Sequence, residues 1–442
     1  MEKTTQEEKE IIAKALKVNI DDVTYDRSSN FKPEKNKFII KDKVINKFDI
    51  HCLKDYELSF LKCQIKTKIS IRKYIEDIKI KSLLFNDCSI NSIVFIDDFS
   101  CDNMHFLNCS IDKISCSKIS IKGDVKFKKC SFVKEFLLDN CKFLNAIYFN
   151  NSFFKSYADF HACEFKKIAS FYGVKFEKTP NFSQAIFKGN LNVVNTNLNF
   201  TFCDLQEKII QEYEDFNKDK KEEYQKSLDK FANDFRDSFR TFKNALIKDN
   251  NLLDASNFHK CELYCKEIEL KFKKPKIFSR EWMDKWQLFF YRKLCDHHTD
   301  LILNLRWLVV VVGFFVSVLF VLRYGDGNLL QFFNKDNDLL KMLKAMLNIK
   351  VLNDSNVTYL ILLYSFIGLF FVRTFFIFYY LVIFILMLTI SPYNLFSVVN
   401  FVTKDQSSSF LENIIMVAYT LIMILVLFSL QKTARKNSIV PS

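Results

Sequence analysis

Two short clusters in the C-terminal half carry the side chains of a soft-metal site: His259, Cys261 and Cys265, and further on Cys295, His297 and His298. Zinc takes thiolate and imidazole donors at comparable spacings. The four-residue step from Cys261 to Cys265 is also that of two neighbours on one buried helix face, and this second reading is preferred. Tyr324-Gly325-Asp326 has the letters of a potassium filter, whose carbonyls replace an ion's hydration shell. A filter needs threonines before it and a pore-lining helix after it, whereas Leu322-Arg323 precede this triplet and a polar stretch follows. Arg373 stands near the middle of a long apolar run, where a charge is costly and faces protein, water or headgroups. It is the membrane-charge candidate, either a pore-lining group or a helix end that snorkels. No Gly-rich phosphate loop, nucleophile elbow or metalloprotease helix is present. The chain therefore reads as a non-enzymatic protein that needs no cofactor.

The elements around these residues follow from periodicity. An apolar residue, two variable residues, a small residue, one variable residue and a second apolar residue recur every eleven positions. The first apolar positions are Phe127, Leu138, Phe149, Phe160, Phe171 and Phe182; the second are Phe132, Phe143, Phe154, Phe165, Phe176 and Phe187. Cys130, Cys141, Ser152, Cys163, Val174 and Ala185 fill the small position, and a further unit starts at Val193. Looser copies occur at Phe85 and Phe106, so the repeat runs from about Leu84 to Leu205. Steps of five and six fit neither a helix nor a strand period. They fit a chain that turns a corner about every five residues and sends one large side chain inward per face. Four faces close a coil, coils stack at about 4.8 Å, and stability comes from neighbouring coils.

On these residues, and on Ala158-Asp159-Phe160 and the run Asn181 to Phe187, the chain resembles the phenylalanine-rich variety of pentapeptide-repeat protein. The resemblance implies a right-handed quadrilateral β-helix. The expected organisation is an N-terminal cap and irregular lead-in over 1–83, the β-helix over 84–205, a charged helical connector over 206–300 and a transmembrane helical region over 301–442.

In the connector, Leu228, Phe231, Phe235, Phe239, Phe242 and Leu246 draw one stripe down an amphipathic helix. A break at Asp249-Asn250-Asn251 leads into a second helical stretch, Leu253 to Leu270. An antiparallel pair capping the last coil is expected, because a bare coil exposes strand edges. Arg240, Lys243, Asp254 and Glu262 then serve as inter-helix salt bridges or solvated faces.

Three apolar runs have membrane-spanning length: Leu301 to Leu322, Tyr359 to Ile390 and Phe410 to Leu430. Much of the +13 net charge sits beside the first run, from Lys271 to Arg306, where positive-inside anchoring places it. The start of the chain lacks the apolar core of a secretory signal. Thirteen cysteines, an odd number placed largely among phenylalanines, read as reduced core residues. The N-terminal part is thus expected in the cytoplasm, with the chain integral to a bacterial inner membrane. A cytoplasmic N-terminal domain and a basic tail at Lys432, Arg435 and Lys436 require an even number of crossings, so the middle run is expected to fold as a hairpin or re-entrant pair.

The leading function is an interaction scaffold whose partners are the lipid bilayer, a protein of unknown identity and, as an option, further copies of the chain. The alternative is a channel-like membrane effector with the β-helix as cytoplasmic sensor. A DNA-mimicking topoisomerase binder requires a strongly negative rod, yet Phe85 to Leu205 holds 14 Lys against 12 Asp plus Glu. No nucleic-acid partner is expected.

Overall fold

A computed structural model describes residues 5–25, 37–71, 78–218, 220–221, 224–324 and 410–434. Two compact units divide the chain, residues 1–289 with 440–442, and residues 290–439. The first is a β-solenoid of about seven turns followed by helices. Helix α1 (Thr5–Leu16) buries Ile12 and Leu16 over its start, and a single turn of helix, α2 (Ile50–Leu53), interrupts the early coils. Val23–Tyr25 pairs antiparallel with Lys37–Lys41, and the later pairings are parallel, coil on coil.

Coiling starts before residue 84. Lys37–Lys41 stacks on Glu57–Leu61, which stacks on Ile78–Asn86, so much of the expected lead-in already belongs to the solenoid. Isoleucine and leucine fill most of the core there beside Phe38 and Phe60, which hides the eleven-residue phenylalanine signal.

The cross-section changes along the axis. From Gln64 to Lys128 the coils use strands of seven to nine residues, such as Ser89–Phe95 and Phe99–Leu107. Beyond it the strands shrink to two to four residues and each long face divides. Ser120–Lys128 pairs with both Lys142–Phe143 and Ile147–Tyr148, and Ser110–Ser117 with both Ser131–Phe132 and Phe136–Asp139. Four short strands per coil are thus a property of the later coils.

Two features of the repeat make the corners. A residue with positive φ precedes each small position, Lys129, Asn140, Asn151, Ala162, Gly173, Gln184 and Asn195, and Lys118 keeps the same spacing of eleven one corner earlier, before Ile119. The left-handed turn is costly for most side chains and is tolerated best by Asn and Gly. The small residue then does more than save space. Cys130 Sγ donates to the Phe106 carbonyl at 3.4 Å, Ser152 Oγ to Phe127 at 3.3 Å and Thr196 Oγ1 to Phe171 at 3.0 Å, each one coil below. A thiol or hydroxyl satisfies a corner carbonyl that the short ladders leave over.

Inside, aromatic rings form columns. Phe60, Phe85, Phe106, Phe127, Phe149 and Phe171 stack with centroids 4.8 to 5.3 Å apart. Phe132, Phe154 and Phe176 form a second column, Phe143, Phe165 and Phe187 a third, and Phe160 stacks on Phe182 at 4.5 Å, with Leu138 buried one coil earlier. Phe187 alone of these is only half-buried, because it lies near the end of the stack.

Helices α3 (Phe202–Asn217), α4 (Leu228–Lys248) and α5 (Leu252–Lys273) close that end, with α6 (Arg280–Cys295) following. The α4 stripe puts Phe242 onto three columns at once, 4.7 Å from Phe182, 5.7 Å from Phe187 and 6.2 Å from Phe171, while Phe258 of α5 backs it at 5.4 Å. The second unit contains α7 (Leu301–Tyr324) and α8 (Phe410–Ala434).

Candidate functional site

The residues singled out in the connector come together as the lock of the cap. Pairing of Arg236 with Glu269, of Arg240 with Glu262 and of Lys243 with Glu262 runs in opposite directions along α4 and α5, so the two are antiparallel. Glu262 accepts from Arg240 Nε at 2.8 Å and Lys243 Nζ at 2.7 Å, and His259 Nδ1 lies 3.3 Å away. Burial opposes its ionisation, but the hydrogen bonds from His259, Lys243 and Arg240 outweigh it and hold the carboxyl at about 2. Asp254 accepts from the backbone N–H of Asn195 at 2.8 Å, tying α5 to the last left-handed corner. These groups are committed to one another.

Cys261 and Cys265 lie in the core between the helices, and desolvation drives the Cys265 thiol well above its usual range. Among the described residues no three His, Cys, Asp or Glu side chains are grouped to hold a metal ion. The eight solenoid cysteines from Cys63 to Cys163 are free thiols. In the solenoid, burial pushes Cys101 up to about 12, which keeps it from the thiolate form that nucleophiles and metal ligands require.

On one side of the solenoid an open cleft of about 420 Å³ separates the stacked corners at Tyr157 and Thr179 from the first turns of α3. Lys208 sits 3.4 Å from the Tyr157 ring centroid and 2.9 Å from Glu212, and Tyr157 donates to Glu212 at 2.7 Å. Beneath them, burial raises the Asp159 carboxyl to about 7. A carboxyl perturbed beside a cleft draws attention as a functional group. Asp159 has a local task, however: Oδ1 accepts from the N–H of His161 at 2.9 Å, as Asn181 does from Ser183 one coil later. Lys208 is engaged by Glu212 and Asp204 by Thr201, which leaves the cleft as packing between corner and helix.

The second unit is built the other way round. Asn304 of α7 is 0% exposed and donates to Ser429 Oγ at 2.9 Å and Thr433 Oγ1 at 3.3 Å on α8; both hydroxyl residues are buried. His298, also buried, has Nδ1 3.3 Å from Thr433 Oγ1 and 3.5 Å from Cys295 Sγ. Phe315 meets Tyr419 at 5.1 Å, so α7 and α8 are antiparallel. Outward are Phe428 at 70% exposure, Val417 at 61%, and Phe314, Leu421 and Ile414. Among the described residues one helical window, Val417–Ala434, is long and apolar enough to cross a membrane, and Leu301–Phe315 is apolar but shorter. The expected span Tyr359 to Ile390, Arg373 within it, and Gly325-Asp326 lie outside the described residues.

Comparison with known proteins finds no matching family model, no matching curated protein and no matching solved structure.

Proposed function

We propose that the chain is a non-enzymatic scaffold of the pentapeptide-repeat type, held in a membrane by its C-terminal helices, with the solenoid presenting its surface to a protein partner. The observation that carries the anchor is the inverted polarity of α7 and α8. A helix pair that buries Asn, Ser and Thr while exposing Phe, Val and Leu has apolar solvent around it, because in hydrocarbon polar side chains associate and apolar ones have nothing to escape from. The cations from Lys271 to Arg306 set the orientation, with the solenoid in the cytoplasm, on the inner membrane in a bacterial cell. The scaffold role rests on the solenoid itself. Its core is committed to stacking, burial keeps the Cys101 thiol protonated, and its variable positions form a continuous outer face.

The test has two arms. Alkaline extraction of membranes should leave the protein in the pellet; release into the supernatant defeats the anchor. Photo-crosslinkers at the exposed Leu107, Ile168 and Ile186 should then capture one recurrent protein adduct in intact cells. Absence of any adduct from all three positions, together with a conductance in proteoliposomes of purified protein, replaces the scaffold by the channel-like effector.

A further inference from the structure

We infer that helix α6 and the turn before it form a second membrane contact, lying in the headgroup layer of an anionic leaflet; this deepens the membrane reading above and rests on it. Helical spacing puts Trp282, Met283, Trp286, Phe289 and Phe290 on one side of α6. That side is open: Trp286 is 50% exposed, Phe278 just before the helix is 83% exposed, and Ile277 and Met283 are exposed as well. The rings of Phe278, Trp282, Trp286 and Phe289 follow one another at 5.4, 6.2 and 5.8 Å, so the patch is continuous. A soluble surface does not leave a run of aromatic rings of this size uncovered without an occupant.

Charge identifies the occupant. From Lys271 to Lys293 the chain has eight Lys or Arg and two acids, Glu281 and Asp284. Lys273 takes Glu281, and Lys274, Lys276, Arg280 and Lys285 have no ion-pair partner among the described residues. An apolar aromatic face flanked by uncompensated cations is the composition of a helix that lies in a lipid interface, rings at the acyl boundary and ammonium groups on phosphates. Lys293, on the aromatic side at the last turn, has the stem to snorkel outward.

The covalent connection supplies the position. Only Asp296 to Asp300 separate α6 from α7, a reach of about 20 Å at most. Trp307 Nε1 donates to the Lys293 carbonyl at 2.8 Å, fixing the last turn of α6 beside the early turns of α7. If α7 enters a bilayer at Leu301, the end of α6 is at the interface. Asp296, His297 and His298, with φ of 48, 54 and 69°, form the left-handed turn that redirects the chain there.

The experiment compares full-length protein with its Trp282→Phe, Trp286→Phe variant, whose remaining Trp307 signal is subtracted so that the bond from Trp307 to Lys293 stays in place, in proteoliposomes of phosphatidylcholine and phosphatidylglycerol. One lipid or the other is brominated, at equal mole fraction. Brominated phosphatidylglycerol should quench the two tryptophans at least about twofold more than brominated phosphatidylcholine. The Lys274→Gln, Lys276→Gln, Arg280→Gln, Lys285→Gln variant should lose that preference while staying resistant to alkaline extraction. Equal quenching by both lipids overturns the anionic assignment. Absence of quenching in protein that stays membrane-integral assigns the face to a protein occupant, a second copy included, and overturns the inference. Extraction at alkaline pH brings down the membrane reading itself, and is a separate outcome.

Discussion

The solenoid and the α7–α8 pair use the same amino acids in opposite places. In the solenoid phenylalanine is inside and lysine outside, and the buried donors are thiols and hydroxyls bound to backbone carbonyls. In the helix pair Phe428 and Val417 face outward, and the buried donors bind other side chains across the helices. The contrast teaches what drives each to assemble. Rings are expelled from water into a stack whose coils cannot stand alone. The helices, by contrast, are joined by a polar seam and by packing, because their rings gain nothing by meeting.

The comparison breaks most visibly if the solenoid core is soft. Phe160 stacks on Phe182 at 4.5 Å and meets Phe171 edge-on at 5.5 Å, with neighbours on both sides along the axis. Phe160→Ala should cost about 3 to 5 kcal/mol, since rings held by coils above and below cannot collapse into the cavity. Chemical denaturation followed by circular dichroism reads this. A cost under about 1 kcal/mol would mean that the columns do not carry the fold.

Much of this was legible beforehand because a solenoid repeats its physics. Seven units in register located the rings of the later coils, and a clean three-four stripe located α4 and the cap. The early coils were not legible, since Ile40, Leu58 and Ile65 fill the same places without the phenylalanine period. Helix α3 was missed as a charged run because it buries little apolar surface beyond Leu205 and Ile209, and its start is marked only by the Thr201–Asp204 capping box. Cys130, Ser152 and Thr196 read as merely small; that they share a hydrogen-bond donor was visible, but the carbonyl waiting one coil below was not. The polar seam joins Asn304 to Ser429 across more than a hundred residues, and no local pattern announces such a contact.

A second prediction sharpens the comparison at the solenoid's own exception. Asp159 is a half-buried carboxyl whose proton is held more tightly folded, near 7, than unfolded, near 3.8. Between those values the native state binds more protons, so stability is full below about pH 4, falls as pH rises to about 7, and stays lower above it. Asp159→Asn keeps the acceptor that Asn181 uses one coil later and removes the charge. It should raise stability at pH 8 by roughly 2 kcal/mol, less than the whole shift implies because the group is partly solvated. The slope between pH 4 and 7 should flatten. An unchanged pH profile would show that Asp159 is ionised normally and that the corner is wetter than its packing indicates.

The smallest effect belongs to the helix pair, and its smallness is the point. Asn304 gives two hydrogen bonds to α8, yet its Oδ1 is buried without a hydrogen-bond partner among the described residues. In lipid, such inter-helix hydrogen bonds contribute about 0.6 kcal/mol on average and about 1.7 at most, because separated helices find other polar partners. Asn304→Leu loses two bonds and also removes the unmet acceptor. Thr433 Oγ1 keeps a bond to the Ser429 carbonyl of its own helix at 2.7 Å, so it is not left bare. The variant should therefore weaken α7–α8 association by about 0.6 to 1 kcal/mol, measured as reversible separation in lipid discs. A loss above about 3 kcal/mol is what a buried, water-referenced polar core produces. It would place the pair in the same physical regime as the solenoid, and the inverted-polarity argument for the membrane would fail with it.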